Sequence, residues 1–193
     1  MAAFFTQRVD GDPDLELGLY EQRHADELFA VVDANRAYLR CWLPWLDDVR
    51  GVDDQRAFIR RGADRFARND GFEAGIWHRG RIVGGVGFHY VNWPNRKTEI
   101  GYWLAESAQG RGIMTRCCRA LVDHVFAGWN LNRVIIFCAT ENRRSRAVPE
   151  RLGFTHEGTY RQAEWLYDHF VDLEGYAMLA SDWEAARERI EDG

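Results

Sequence analysis

The stretch from Glu99 to Phe126 constrains the fold most, because it joins a strand pattern to a helix pattern through two glycines. Ile100–Leu104 is apolar and aromatic, and from Ile113 onward apolar residues recur at helical spacing. Gly110 and Gly112 stand between them, where the chain must turn tightly and a ligand can approach the backbone. The first amides of a helix are unpaired and lie at its positive end, so this loop predicts a phosphate-binding site.

Two well-known phosphate motifs are excluded by the letters of this loop. The run does not read G-x-x-x-x-G-K-[ST], which makes a nucleoside triphosphate P-loop a poor fit. It also lacks G-x-G-x-x-G and the acidic ribose-binding position that follows it, which weakens a dinucleotide interpretation. The loop therefore predicts a diphosphate ligand of another kind.

A second block supports a more specific interpretation. Asn132–Phe154 contains an apolar strand, a polar break and a short helix that stops at Gly153. With Gln109 first and Gly112 fourth, the upstream loop resembles the Q-x-x-G-x-(small) loop of the GCN5-related N-acetyltransferases (GNAT), although Met114 stands where Gly or Ala is usual. The two blocks together resemble the ribosomal-protein acetyltransferases of the RimJ/RimL type.

A third likeness lies near the N-terminus, in Asn35–Leu39 and Trp42–Trp45. The three ordered blocks extend the resemblance over nearly the whole chain, from about Leu15 to Leu179. One GNAT domain spanning residues 1–193 is therefore expected, without repeats or a linker.

The patterns predict an α+β fold in which a mixed, mostly antiparallel sheet of about seven strands is flanked by helices. The predicted strands are Leu15–Tyr20, Phe72–Trp77, Ile82–Tyr90, Lys97–Leu104, Arg133–Ala139, Thr155–Trp165 and His169–Leu179. The predicted helices are Asp26–Tyr38, Asp53–Arg68, one that starts at Gly112, Arg143–Leu152 and a short last helix opened by a capping box at Ser181–Glu184. By resemblance, the fourth and fifth strands splay apart and hold the cofactor between them.

The resemblance implies acetyl-coenzyme A as the cofactor. No metal is expected, because metal-ligand spacing is absent from His78, His89, His124, His156 and His169. Main-chain groups of the fourth strand are expected to bind the pantetheine arm of the cofactor, and the glycine loop its pyrophosphate. The expected cofactor-binding residues are Trp103, Leu104, Gln109, Gly110, Arg111, Gly112, Ile113, Met114, Thr115 and Asn142. Arg143, Arg144 and Arg146 are expected to face solvent.

Acetyl transfer to an amine needs a base for the amine and is helped by an acid for the departing thiolate. Glu164 matches the base of RimL-like enzymes and Ser145 matches their proposed acid. Glu99 is a rival base, because many members of the superfamily use a glutamate on this strand. Where many of them carry a tyrosine acid, this chain has Pro149, so either Ser145 or water supplies the proton.

The sequence leaves two classes of acceptor possible. The resemblance favours an α-amino group at a protein N-terminus, and a ribosomal protein in particular; the alternative is detoxification of aminoacyl-nucleotide antibiotics or other small amines. Trp45, Glu99, Asn35 and Trp165 are expected to contact the acceptor. A catalytically idle, coenzyme-binding module is the third hypothesis, and a homodimer is expected from the family.

Composition sets the remaining limits. A net charge of −5 argues against stable nucleic-acid binding and modestly favours a cationic acceptor. No apolar run approaches a membrane span, and the first residues lack an export-signal pattern. The spacing of the four cysteines fits neither a disulfide framework nor a zinc site. A reduced, cytoplasmic protein is expected.

Overall fold

The computed structural model describes residues 6–191, which form one eight-stranded sheet with helices on both faces. The strands are β1 (Thr6–Arg8), β2 (Leu15–Leu19), β3 (Glu73–His78), β4 (Arg81–Asn92), β5 (Lys97–Leu104), β6 (Arg133–Ala139), β7 (Thr155–Leu166) and β8 (His169–Leu179). The helices are α1 (Ala25–Ala34), α2 (Arg36–Leu39), α3 (Val52–Ala67), α4 (Ile113–Asp123), α5 (Arg143–Arg151) and α6 (Ala180–Glu191).

The predicted α+β architecture is confirmed, and all seven predicted strands are present. The additional strand is β1, a short element that pairs with β2 at the edge of the sheet. The order across the sheet is β1-β2-β3-β4-β5-β6-β8-β7. Every neighbouring pair is antiparallel except β5 and β6, which run parallel. The predicted fourth and fifth strands are therefore β5 and β6.

The parallel pair β5 and β6 is joined at three register positions only, the last of which pairs Glu99 with Ile135. The rest of each strand continues without the other, so the carboxyl half of β5 separates from β6. This divergence is the splay that the resemblance implied. It leaves one side of the β5 backbone open from Ile100 to Leu104.

Alternate residues of the strands pack into two separate cores, as strand geometry requires. Ile100 faces the larger core, which also contains Cys117 and Leu121 of α4. Trp103 packs against the smaller core on the opposite face, which contains Leu28 of α1 and Ile59 of α3. The gap between β5 and β6 therefore has α4 on one face of the sheet and α1 and α3 on the other.

Two predicted helix boundaries are wrong. The helix expected over Asp26–Tyr38 is interrupted at Asn35, whose φ of −108° and ψ of 9° are not helical. The last helix begins at Ala180 directly after β8, so Ser181 is not its cap. The Ser181 hydroxyl donates to the Asp182 carboxylate instead.

Candidate active site

A cleft of about 780 Å³ opens where β5 and β6 diverge. Its walls come from α2 and the following loop, the far half of β5, the glycine loop, α4 and α5. Most of the residues expected to bind the cofactor line it: Trp103, Leu104, Gln109, Gly110, Gly112, Ile113, Met114, Thr115 and Asn142. Arg111 is not among the lining residues. Its carbonyl accepts a hydrogen bond from Arg116, which does line the cleft.

The glycine loop turns onto α4 through two left-handed residues. Gly110 has a φ of 73° and Gly112 a φ of 70°, which side chains rarely adopt. Gly112 is the N-cap of α4 and offers no side chain to the first amides of the helix. These amides therefore remain available at the mouth of the cleft.

Gln109 ties this loop to both neighbouring helices. Its amide nitrogen donates to the Tyr38 hydroxyl at 2.5 Å, and its amide oxygen accepts from Arg144 at 2.6 Å. Arg144 lines the cleft, as do Arg116 and Arg151. Arg144 is exposed, as expected, and the start of α5 also turns it toward the loop.

Ser145 lies in the wall of the cleft, in the first turn of α5. Its backbone N–H donates to the Asn142 side-chain oxygen at 3.1 Å, so Asn142 caps the helix and lines the cleft at the same time. The Ser145 hydroxyl lies 3.2 Å from Cys138 Sγ and 3.3 Å from the Tyr102 hydroxyl. Burial raises the pKa of the Tyr102 hydroxyl well above its ordinary value and also raises the pKa of the Cys138 thiol. Neither Tyr102 nor Cys138 was predicted at the site.

Glu164 and Glu99, the two candidate bases, have different partners. Glu99 forms an ion pair with His89, whose Nδ1 lies 3.2 Å from the carboxylate. The Glu164 side chain makes no hydrogen bond or ion pair with any residue in the part of the chain that is described. Burial raises the pKa of Glu164; the charge of His89 opposes this shift and that of Glu99 adds to it. The three groups therefore share one electrostatic environment, in which Glu164 is the uncommitted carboxylate.

Local irregularities bring these groups together. In β4, the ladder slips between Phe88 and Tyr90, and His89 is the extra residue of this bulge. The His89 ring lies over Gly101, where an added Cβ would come within 1.9 Å of Nε2. A second slip in β7, between Tyr160 and Glu164, displaces the end of that strand. Sequence patterns do not reveal such bulges, so His89 was not predicted.

The loop that carries Trp45 is fastened to the β7–β8 turn. The Tyr167 hydroxyl donates to the Leu43 carbonyl at 2.5 Å and accepts from the Leu46 N–H at 3.3 Å. The Arg40 guanidinium lies 3.7 Å from the centre of the Tyr167 ring. We call these contacts the acceptor-loop latch. Trp45 packs edge-on against Trp103 with ring centres 6.3 Å apart, next to the cleft.

The structure places the other two expected acceptor contacts away from this position. Trp165 follows Glu164 in β7 and so points to the opposite face of the strand. It packs on Phe170 and is 52% exposed. The Asn35 side chain donates to the Val31 carbonyl and accepts from the Glu106 N–H, which ties α1 to the turn before the glycine loop.

One group of described residues has the composition of a metal site: Asp12, Asp14 and His78, whose ligand atoms lie within 4.8 Å of one another. Asp12 pairs with Arg116 at 3.1 Å and Asp14 with Arg79 at 3.1 Å. Arginines thus already balance both carboxylates. No helix in residues 6–191 is long and apolar enough to cross a membrane.

Comparisons with known proteins agree with this geometry. The acetyltransferase (GNAT) domain family matches residues 14–155. YdaF of Bacillus subtilis (strain 168) is 35% identical over 184 residues, which cover 95% of this chain and 100% of that protein. These matches confirm the predicted family, and the likeness to YdaF extends over nearly the whole chain.

Two solved structures share the fold over almost their full length. One is RimL, a ribosomal L7/L12 α-N-protein acetyltransferase in complex with coenzyme A; it has a TM-score of 0.86 and 30% identity, covering 91% of this chain and 98% of that one. The other is the microcin C7 self-immunity acetyltransferase MccE with acetyl-CoA and AMP, which has a TM-score of 0.84 and 26% identity and covers 87% and 93%. The chain is therefore an acetyltransferase of the GNAT family and resembles the RimJ/RimL type within it.

Proposed function

We propose that the protein transfers an acetyl group from acetyl-coenzyme A to the α-amino group of a protein N-terminus, with a ribosomal protein as the acceptor. The observation that carries this proposal is the uncommitted, part-buried Glu164 carboxylate on a fold that matches RimL over nearly the whole chain. A general base serves an acceptor that must lose a proton, as a protonated amine does.

The residues of the cleft fit a diphosphate-bearing carrier. The uncapped amides that follow Gly112 lie at the same cleft that Arg116 and Arg144 line. The Nε of Arg116 is buried and has no hydrogen-bond partner among the described residues. Anions bind well where a helix N-terminus and arginine donors converge. The open side of β5 at Trp103 and Leu104 offers main-chain groups to an extended arm, as an added strand would use them.

Acetyl-coenzyme A supplies the acetyl group as an activated thioester. Glu164 accepts the proton that the acceptor amine must lose as the new C–N bond forms. Ser145 donates its hydroxyl proton toward the departing sulfur. A coenzyme A thiol has a pKa of about 8.5, like that of cysteine, so this donation contributes less than removal of the amine proton.

Amine chemistry supports an α-amino acceptor over lysine. An α-amino group has a pKa of about 7.7–8.0 and lysine one of about 10.4, so the neutral fraction at pH 7 differs by roughly several hundredfold. A single carboxylate can deprotonate the first far more readily. Glu99, which is paired with His89, is assigned to the electrostatic environment of the base and not to the base itself.

The test is acetylation of ribosomal protein L7/L12 with a free N-terminus. Mass spectrometry should show the gain of one acetyl group at the α-amino group, and Glu164→Gln should slow this gain about 10²–10⁴-fold. Glu184→Gln changes an exposed glutamate of α6 and should leave the rate unchanged. Absence of acetylation at any protein N-terminus would contradict the acceptor assignment.

A small-molecule acceptor is the second candidate, favoured by the likeness to MccE, whose structure holds AMP. Trp45 and Trp103 meet edge-on at 68°, so they do not form a parallel slot for a base, although one ring could still stack on it. Acetylation of an aminoacyl-adenylate analogue, lost in Trp45→Ala and kept in Trp45→Phe, would support this acceptor. Retention of that activity in the alanine variant would count against it.

The assembly expected from the family is a homodimer, and we propose it here as well. The exposed pair Trp165 and Phe170, at 52% and 56% exposure, offers an apolar surface on the β7–β8 hairpin. Light scattering on the purified chain should give the mass of two copies. Measurement of a single copy at micromolar concentration would contradict the proposal.

A further inference from the structure

Pro149 leaves a carbonyl in α5 without its helical partner. Pro149 lies inside the helix, four residues after Ser145. In a regular helix the N–H of residue 149 would donate to the carbonyl of residue 145, and proline has no N–H to give. The Ser145 carbonyl is only part-exposed, so losing this bond without a replacement would be costly.

Tyr102 supplies the missing donor from another element. Its hydroxyl donates to the Ser145 carbonyl at 2.9 Å. Tyr102 belongs to the half of β5 that has separated from β6, so this bond spans the cleft wall between β5 and α5. A contact between distant parts of the chain thus replaces a hydrogen bond within the helix.

The same bond orients the Tyr102 oxygen toward the Ser145 side chain. A tyrosine hydroxyl can donate one hydrogen bond, and here the Ser145 carbonyl accepts it. The oxygen lone pairs then remain as acceptors for the Ser145 hydroxyl, 3.3 Å away. Cys138 Sγ, at 3.2 Å, is the other acceptor within reach. The Ser145 hydroxyl is thus held between two fixed groups in the wall of the cleft.

We propose that Tyr102 is the positioning residue for Ser145: by occupying the carbonyl that Pro149 leaves open, it fixes the start of α5 and holds the Ser145 oxygen in the wall of the cleft, where the hydroxyl rotates away from Tyr102 to donate to the departing sulfur. The part that concerns the sulfur rests on the proposed function; the link between Tyr102 and Pro149 does not. Tyr102 keeps its proton throughout and acts only through Ser145.

A double-mutant cycle on thermal stability tests the link to Pro149. Tyr102→Phe should lower the melting temperature, because it strands the Ser145 carbonyl. Pro149→Ala restores an N–H at residue 149, so in that background Tyr102→Phe should lower the melting temperature by less than half as much. Equal losses in the two backgrounds would overturn the proposal, whatever the enzyme acetylates.

Kinetics test the action through Ser145. Tyr102→Phe should lower kcat about fivefold, the rate equivalent of one ordinary hydrogen bond. The Tyr102→Phe/Ser145→Ala variant should be no slower than Ser145→Ala, because the two residues act as one unit. With an acetyl thioester of an aryl thiol as the donor, the loss of kcat in Tyr102→Phe should be smaller, because an aryl thiolate leaves more easily and needs less help from Ser145.

The control is Tyr160→Phe. The Tyr160 ring is exposed on β7 and packs on Phe137, so neither melting temperature nor kcat should change. A further loss of rate when Tyr102→Phe is added to Ser145→Ala would show that Tyr102 acts independently, and this would overturn the positioning role. If the chain acetylates no N-terminus, the stability cycle still decides whether Tyr102 and Pro149 are coupled.

Discussion

At the scale of the residue, the two candidate bases are distinguished by their partners. Glu99 has a cation, His89, at 3.2 Å, whereas Glu164 is part-buried without an ion pair among the described residues. A carboxylate kept from water without a partner has an elevated pKa. Such a group accepts a proton more readily than an ordinary surface glutamate, and it also makes the folded state less stable at neutral pH.

We predict that Glu164→Gln raises the melting temperature at pH 7 while it lowers kcat about 10²–10⁴-fold. The pKa of Glu164 is raised in the folded state. Its favourable contribution to the free energy of unfolding is therefore complete below the pKa of the unfolded state and is lost as pH rises through the pKa of the folded state. Glutamine carries no charge and escapes that loss. Thermal unfolding at pH 7 and at about pH 4 should show a gain only at the higher pH; a loss of stability at pH 7 would contradict the prediction.

For Glu99→Gln we predict the opposite change, a lower melting temperature. The hydrogen bond with Glu99 is the largest cause of the raised pKa of His89; the charge of Glu73 also raises it, while burial and Arg65 lower it. Glu164, the remaining charged group of this environment, interacts with His89 as well. The contribution of His89 to stability is therefore present below its unfolded pKa, about 6.5, and is lost as pH rises through the folded value.

Glu99→Gln should accordingly lower the melting temperature more at pH 6 than at pH 9. Unfolding curves at the two pH values are the measurement, and His89→Gln should remove the difference. A loss of the same size at both pH values would show that the ion pair does not control this part of the pH dependence.

At the scale of the element, the start of α4 depends on glycine, whereas the middle of α3 does not. A Cβ at Gly112 would sit at a φ of 70° and 3.0 Å from the Arg116 guanidinium. At Gly62, inside α3, it would meet no atom within 4 Å. Gly112→Ala should therefore cost about 1–2 kcal/mol and weaken acetyl-coenzyme A binding.

Gly62→Ala is the matched control for this prediction. It should stabilise the protein by about 0.5–1 kcal/mol, because alanine restricts the unfolded chain and is the better helix former. Urea unfolding and calorimetry with acetyl-coenzyme A measure the two effects. Unchanged cofactor affinity in Gly112→Ala would contradict the role given to this loop.

The acceptor-loop latch makes a third element-scale prediction. Tyr167→Phe removes the hydroxyl that holds the Leu43 carbonyl and the Leu46 N–H, at a cost of about 1–2 kcal/mol. Because the latch holds the loop of Trp45, KM for the acceptor should rise while the dissociation constant of acetyl-coenzyme A stays the same. Steady-state kinetics with both substrates check this, and a change confined to cofactor binding would contradict it.

What could be predicted from the sequence at this scale follows from how local each signal is. The seven strands and the helix at Gly112 follow from periodicity and glycine placement, which neighbouring residues determine. Asn35, at the break after α1, accepts a hydrogen bond from the Glu106 N–H, 71 positions away in the chain. The opposite faces of Glu164 and Trp165 are a local consequence of strand alternation, so they could be read from the sequence. Tyr102, in contrast, reaches the site through a hydrogen bond to the Ser145 carbonyl, 43 positions away. Such features depend on partners that only the folded chain brings together.

At the scale of the whole molecule, ligand binding and folding are linked. A ligand present at 100 times its dissociation constant stabilises the folded state by about 2.7 kcal/mol. For a chain of this size, that corresponds to a rise in melting temperature of about 5–10 °C. We predict a rise in this range with acetyl-coenzyme A, measured by differential scanning fluorimetry. The adenosine part alone, without its phosphates, should give almost none.

The pair between Asp12 and Arg116 extends this linkage to the far edge of the sheet. Arg116 lines the cleft and also donates to the Arg111 carbonyl, while Asp12 lies in the turn between β1 and β2. A ligand that immobilises the Arg116 guanidinium therefore also restrains the β1–β2 hairpin. In the strand order, β1 lies at one edge of the sheet, seven positions from β7 at the other edge. Slower deuterium uptake in that hairpin would therefore report occupancy of the cleft, and it would do so without any label on the coenzyme.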